Sequence, residues 1–224
     1  MTMKRTLLLA GIALAAGAAS FAGPTQAAPI LSYNANVTNG VYFGTGNPNG
    51  GWTISTENGY ELALRAKTYK GAVITPEPGT GKYEVLLGVF GGTGTHPTWN
   101  WEFSIDNLNP GGSLANLTAF VTITDSTMNS KTFDLLTIPD NAVGDNGKGR
   151  QNSESLSFAS ISLPGFDPRE DETYTFSVTL KNAAWGNVLA TDSIVVNAVP
   201  EPASLALLGA ALAGLGVAIR RRTN

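Results

Sequence analysis

The sequence has no cysteine, one histidine and few charges of either sign. Each shortage closes off a class of chemistry. Without Cys there is no thiol nucleophile, no thiolate zinc site, no covalently attached haem and no disulfide. A domain that can bury a sizeable core does without disulfides even in an oxidising compartment. With a single imidazole, a Ser-His-Asp arrangement has to pass through His96, because its general base must titrate near neutrality. His96 stands in Gly94-Thr95-His96-Pro97 with no nucleophile-elbow sequence around it, and reads as a solvated turn residue. Charged residues are 14 % of the chain, low for a cytosolic enzyme of this size. Five of the bases sit at the ends, as Lys4, Arg5, Arg220, Arg221 and Arg222. Residues 28–198 keep nine bases against sixteen acids, a net charge near −7. That argues against nucleic acid as a partner, which needs a clustered positive footprint.

The long uncharged stretches lie at the two ends. Lys4 and Arg5 precede an apolar run over residues 7–19 and then a small-residue segment, the pattern of a secretory signal peptide. Thr25 and Ala27 suit cleavage by signal peptidase after Ala27; Ser20 and Ala22 offer the alternative site. At the other end Val199-Pro200-Glu201-Pro202 is followed by seventeen residues without a charge, 203–219, and then by Arg220-Arg221-Arg222. As a helix this run is about 25 Å long, slightly short of a ~30 Å hydrocarbon core. Local thinning and snorkelling arginines close the gap at small cost. The arginines act as a cytoplasmic stop signal, which leaves residues 28–198 outside. The organisation expected is therefore a signal peptide at 1–27, an exported domain at 28–198 and an anchoring segment at 199–224.

Taken together, Pro200-Glu201-Pro202, the Leu/Ala/Gly-rich run and the terminal arginines resemble the tripartite tail of PEP-CTERM proteins. The resemblance implies an exported protein of a Gram-negative bacterium, of a kind often associated with exopolysaccharide and biofilm. It implies that Pro200, Glu201 and Pro202 are recognised by an exosortase, a membrane transpeptidase-like enzyme with a Cys-His-Arg site. The chain would be that enzyme's substrate, held in the inner membrane before processing and then passed to the envelope, surface or extracellular matrix. Weaker similarities to other PEP-CTERM ectodomains lie in residues 47–66 and around Phe166-Asp167-Pro168. A second Pro-Glu-Pro, at Pro76-Glu77-Pro78, has no apolar run after it and reads as a Pro/Gly turn.

Between the ends, alternation with period two dominates. Trp99, Trp101, Phe103 and Ile105 alternate with Asn100, Glu102 and Ser104, the pattern of an amphipathic strand. Leu117 to Ile123 and Tyr174 to Leu180 repeat it. Further strands are expected at 52–56, 60–66, 82–90, 132–138, 156–163 and 189–197, with 60–66 also readable as helix. Gly, Asn, Asp and Pro fill the gaps. The fold class expected is all-β, an antiparallel β-sandwich, with a jelly roll as the close variant.

Candidate chemistry in this domain is sparse. Asp167, Glu170, Asp171 and Glu172 form an acidic cluster whose oxygens suit Ca²⁺, although their spacing matches no calcium loop and a charged edge explains them as well. Asp140-Asn141 and Asp145-Asn146-Gly147 read as turns. The glycine-rich string at 44–51 lacks the spacing, the lysine and the helix of a phosphate cradle. Trp52 and Trp185 are candidate platforms for sugar rings, whereas Trp99 and Trp101 share a face that reads as core. No catalytic residue, cofactor or metal ligand is nominated. The function expected is an exported, non-enzymatic envelope or matrix protein, with a carbohydrate-binding module as the alternative and a secreted hydrolase third.

Overall fold

A computed structural model describes residues 28–40 and 48–201. Ala27 and the expected signal peptide, Pro202, the expected membrane span and Arg220, Arg221 and Arg222 lie outside the described residues. Among the described residues no helix is long and apolar enough to cross a membrane.

The described chain is all-β. Its strands are β1 (Ile30–Ala35), β2 (Trp52–Glu57), β3 (Tyr60–Thr68), β4 (Lys82–Leu86), β5 (Trp99–Asn107), β6 (Leu117–Asp125), β7 (Ser130–Asp134), β8 (Ala142–Gly144), β9 (Gly149–Glu154), β10 (Glu172–Asn182) and β11 (Val188–Val199). One sheet has the order β1-β2-β3-β5-β9-β8 and the other β4-β11-β10-β6-β7. The alternating residues of β5 explain the layering. Trp101, Phe103 and Ile105 meet Tyr83, Val121, Ile123, Phe176 and Val178 of the second sheet in one apolar core. The Trp101 ring lies 5.1 Å from Phe176 and 6.1 Å from Phe103, centroid to centroid. Each such buried side chain contributes roughly 1.5–3 kcal/mol through removal from water.

Local chemistry sets the β2–β3 register. Asn58 (φ 50°) and Gly59 (φ 76°) occupy the two central positions of the turn, and both take the left-handed backbone that a two-residue hairpin loop requires. A side chain at Gly59 would also strike Asn109, 2.3 Å from an ideal Cβ. The ladder from this turn runs unbroken from Glu57↔Tyr60 to Thr53↔Leu64.

Several features depart from the sequence reading, among them β1 and β8, which no alternation announced, and β4, which ends at Leu86 rather than at residue 90. The strand ladder is antiparallel except for β4 and β11, which run parallel from Lys82↔Val195 to Leu86↔Val199. The stretch 156–163 is a series of turns; its Leu156, Ile161 and Leu163 are buried because they close one end of the core. In its place β9 enters the first sheet, a polar segment without apolar alternation. The ambiguous segment 60–66 is a strand, and β7 ends at Asp134, whose side chain accepts from the Leu136 N–H and starts a 3-10 turn.

The face of the first sheet that points away from the core is also covered. Thr38 donates to Glu61 through its backbone N–H at 2.9 Å and its hydroxyl at 2.6 Å. Val37 is buried, and the carbonyls of Pro48 and Gly50 accept from Arg65 Nη1 at 3.0 and 2.6 Å. Glu61, Arg65, Glu102, Ser104 and Asp106 therefore lie inside the molecule, although the alternation of β5 reads as one dry and one wet face.

Candidate functional site

The best-defined feature is the point at which β11 hands the chain to the sorting segment. β11 is an inner strand, paired with β10 from Lys181↔Val188 to Glu172↔Ala198 and with β4 along its last five residues. Ala198 is buried, and the Val199 carbonyl accepts from the Leu87 N–H at 3.0 Å. Pro200 cannot donate to a ladder, so pairing stops there. Pro200 and Glu201 are both exposed. The motif begins where the core ends, with no linker between them.

The tryptophans separate cleanly. Trp52 is fully buried; the Arg65 guanidinium lies over its ring at 4.1 Å, and its Nε1–H donates to Asn49 at 3.0 Å. It offers no face for a sugar, a correction whose cause is the covered outer face of the sheet. Trp99 and Trp101 are core, as their alternation implies. Trp185 is 76 % exposed at the β10–β11 turn, where Asn182 holds the backbone N–H groups of Ala184 and Trp185.

The acidic cluster is engaged in local bonds. Asp167 accepts from the Arg169 N–H at 2.9 Å, and Glu172 accepts from the N–H groups of Ser126 and Thr173 at 3.1 and 2.7 Å. Among the described residues no three His, Cys, Asp or Glu side chains converge as metal ligands. His96 differs from the solvated residue expected. It is half-buried, stacks on Tyr69 at 3.9 Å and meets Phe158 edge-on at 5.6 Å. Its Nδ1 lies 3.0 Å from the Pro97 carbonyl oxygen, and no hydroxyl or carboxylate of the described residues bonds to the ring.

Sequence reasoning missed the buried charges. Glu102 is fully buried between Arg65, whose Nε donates to it at 2.6 Å, and Lys67, whose Nζ is 3.7 Å away. Asp192, 6 % exposed, accepts from the backbone N–H groups of Ser193 and Leu64, yet its Oδ2 has no partner; burial holds its carboxyl well above the ordinary range. It lines an open groove of about 660 Å³ beside Tyr33, Thr53, Lys82, Ser177 and Thr191. Burial, and then the negative charge of Asp140, push Glu154 up to about 7. The one available signal was Asp192, which falls in phase with Ala190, Ile194 and Val196 of β11; Glu102 sits on the polar side of its strand's alternation and gave none.

Residues 198–222 match the family model of the PEP-CTERM protein-sorting motif. The match starts on the last two residues of β11 and takes in Pro200, Glu201, Pro202 and the three arginines. The chain thus carries the signal of an exported protein that is membrane-anchored before processing, recognised by an exosortase and bound for the cell surface. No curated protein and no solved structure matches the chain.

Proposed function

We propose that the protein is a non-enzymatic β-sandwich, released from its signal peptide after Ala27 and anchored through residues 203–219. An exosortase-type transpeptidase then processes it for the envelope surface or extracellular matrix, in association with exopolysaccharide. The observation that carries this reading is the direct junction between β11 and the sorting motif at Pro200. Core packing runs up to Ala198, and the sorting signal takes over within two residues of it.

Replacing Pro200, Glu201 and Pro202 by Ala leaves the apolar run intact, so insertion persists while recognition is lost. In the native host the wild type is expected to be shortened by about 2 kDa, the mass scale of a ~20-residue span. The triple variant stays at full mass in the membrane fraction. Intact-mass measurement on both decides it: equal masses in equal fractions reduce the tail to a plain anchor.

The carbohydrate-binding alternative draws support from the hydroxyl-lined groove beside Asp192 and from exposed Trp185. Retention of the ectodomain on a polysaccharide column, lost on Thr191→Val or Trp185→Ala, supports that reading; free passage through the column removes it.

A further inference from the structure

The tail leaves the sandwich at one end, and an exposed aromatic edge lies at that same end. Leu86 is 46 % exposed, Phe90 45 % and Phe158 38 %. The rings form one group: Tyr69 meets Phe90 edge-on at 4.8 Å, and His96 bridges Tyr69 to Phe158. The Lys70 ammonium lies 5.3 Å from the Tyr69 ring and 5.7 Å from the Phe90 ring. Topology puts them there. Because β4 runs parallel to β11, Leu86 pairs with Val199, and residues 87–98 depart from beside the point where β11 stops. β3 ends at the same level, with Thr68 opposite Trp99, and β9 ends with Glu154 opposite Trp101. Those two strand ends deliver Tyr69 and Phe158.

Reach then limits where this end can be. Three residues, Pro200, Glu201 and Pro202, separate Val199 from Ala203, the first residue of the apolar run, a span of at most about 14 Å when fully extended. The end of the sandwich stays within that distance of the bilayer for as long as the tail is inserted. We propose that the edge formed by Tyr69, Lys70, Leu86, Phe90 and Phe158 rests in the headgroup layer of the membrane that holds the tail. Aromatic rings settle at this level, and a lysine beside them keeps its charge in water. Glu170, Asp171 and Glu172 lie at the same end on the β10 side, where Glu172 pairs with Ala198, while Asp167 lines a groove with Thr95 and Ser157 beside the edge and has the Arg169 guanidinium 3.7 Å away. Anionic headgroups repel the acids on the β10 side. The domain therefore leans onto its aromatic edge with Glu170, Asp171 and Glu172 turned to water, and the contact is carried by rings rather than by charge.

This inference rests on the tail being an inserted anchor, and the test separates the two. The chain has no cysteine, so one introduced thiol carries one nitroxide. The full chain is reconstituted in phosphatidylcholine vesicles, with and without phosphatidylglycerol, and labelled at Thr93→Cys beside Phe90 or at Trp185→Cys at the opposite end. The Thr93 label is expected to relax with oxygen and to be shielded from a water-soluble nickel chelate, in both lipids; the Trp185 label behaves in the opposite way. Adding Phe90→Ser and Phe158→Ser, both at exposed positions, brings the Thr93 label to the accessibility of the Trp185 label with the circular dichroism unchanged. A chain that floats with the vesicles while its Thr93 label stays fully accessible to the chelate overturns the seat alone. Shielding seen only with phosphatidylglycerol overturns its ring-driven basis. A chain that does not float overturns the anchor, and the seat with it.

Discussion

Glu102→Leu is expected to remove about 3–5 kcal/mol of folding stability, a large share of the roughly 5–15 kcal/mol that holds a domain together. Glu102 is fully buried, and it is the carboxylate shared by Arg65 and Lys67, which are 1 % and 7 % exposed. Leucine fills much of the space and leaves two buried cations without that counter-charge. Breaking one side of such a pair is costly because the remaining charge stays desolvated, whereas removing both sides is not. Arg65→Met added to Glu102→Leu is therefore expected to recover a substantial part of the loss. Urea unfolding of residues 28–201 measures both. A single variant within about 1 kcal/mol of the wild type would mean that the outer face of the first sheet is wetter than its burial implies.

This pair also marks the limit of what the sequence discloses. Alternation in Trp101, Phe103 and Ile105 identifies a strand and the face that enters the core, and both are observed. The same alternation says that Glu102 and Ser104 share the other face, but nothing about what covers that face. The cover comes from Val37, Thr38, Pro48 and Gly50, which are far away in sequence and have no periodicity. β9 was hidden for a related reason. Its inward positions are Arg150, Asn152 and Glu154, opposite Ile105, Phe103 and Trp101, so the strand presents polar residues on both faces and no pattern to find. Apolar 156–163 competed for the assignment and lost, because its side chains plug the end of the core from turns. The parallel pairing of β4 with β11 joins segments more than a hundred residues apart, and no local turn announces it. The tail is the opposite case. A proline-flanked glutamate, an uncharged run and an arginine cluster act through local sequence alone, and they were legible without any knowledge of the fold.

Acidification from pH 7 to about pH 4.5 is expected to strengthen the domain, in part through Glu154. In the folded chain its carboxyl is held at about 7, against 4.5 when unfolded, first by burial and then by Asp140. Below pH 4.5 both states carry the proton and the group contributes nothing. Between 4.5 and 7 the folded state keeps a proton that the unfolded state has released, so stability falls as pH rises. Above 7 the whole cost is present, about 3 kcal/mol for a displacement of this size. Asp106 and Asp192 act in the same direction, since burial raises both above their ordinary value of 3.8. Asp125 acts against them in a lower window. Burial opposes its ionisation, but bonds from Asn129 and Thr127 outweigh that and lower it. Its contribution is present above pH 3.8 and disappears as pH falls below. The stability profile of residues 28–201 should therefore peak in mild acid, between these two windows, and decline toward pH 8. Glu154→Gln keeps the shape of the side chain and removes the titration. It is expected to reduce the slope between pH 4.5 and 7, leaving the part due to Asp106 and Asp192, and to gain about 2–3 kcal/mol at pH 8, with little change at pH 4.5. Unfolding midpoints measured across that range decide it: a slope that persists unchanged in Glu154→Gln assigns the proton uptake elsewhere.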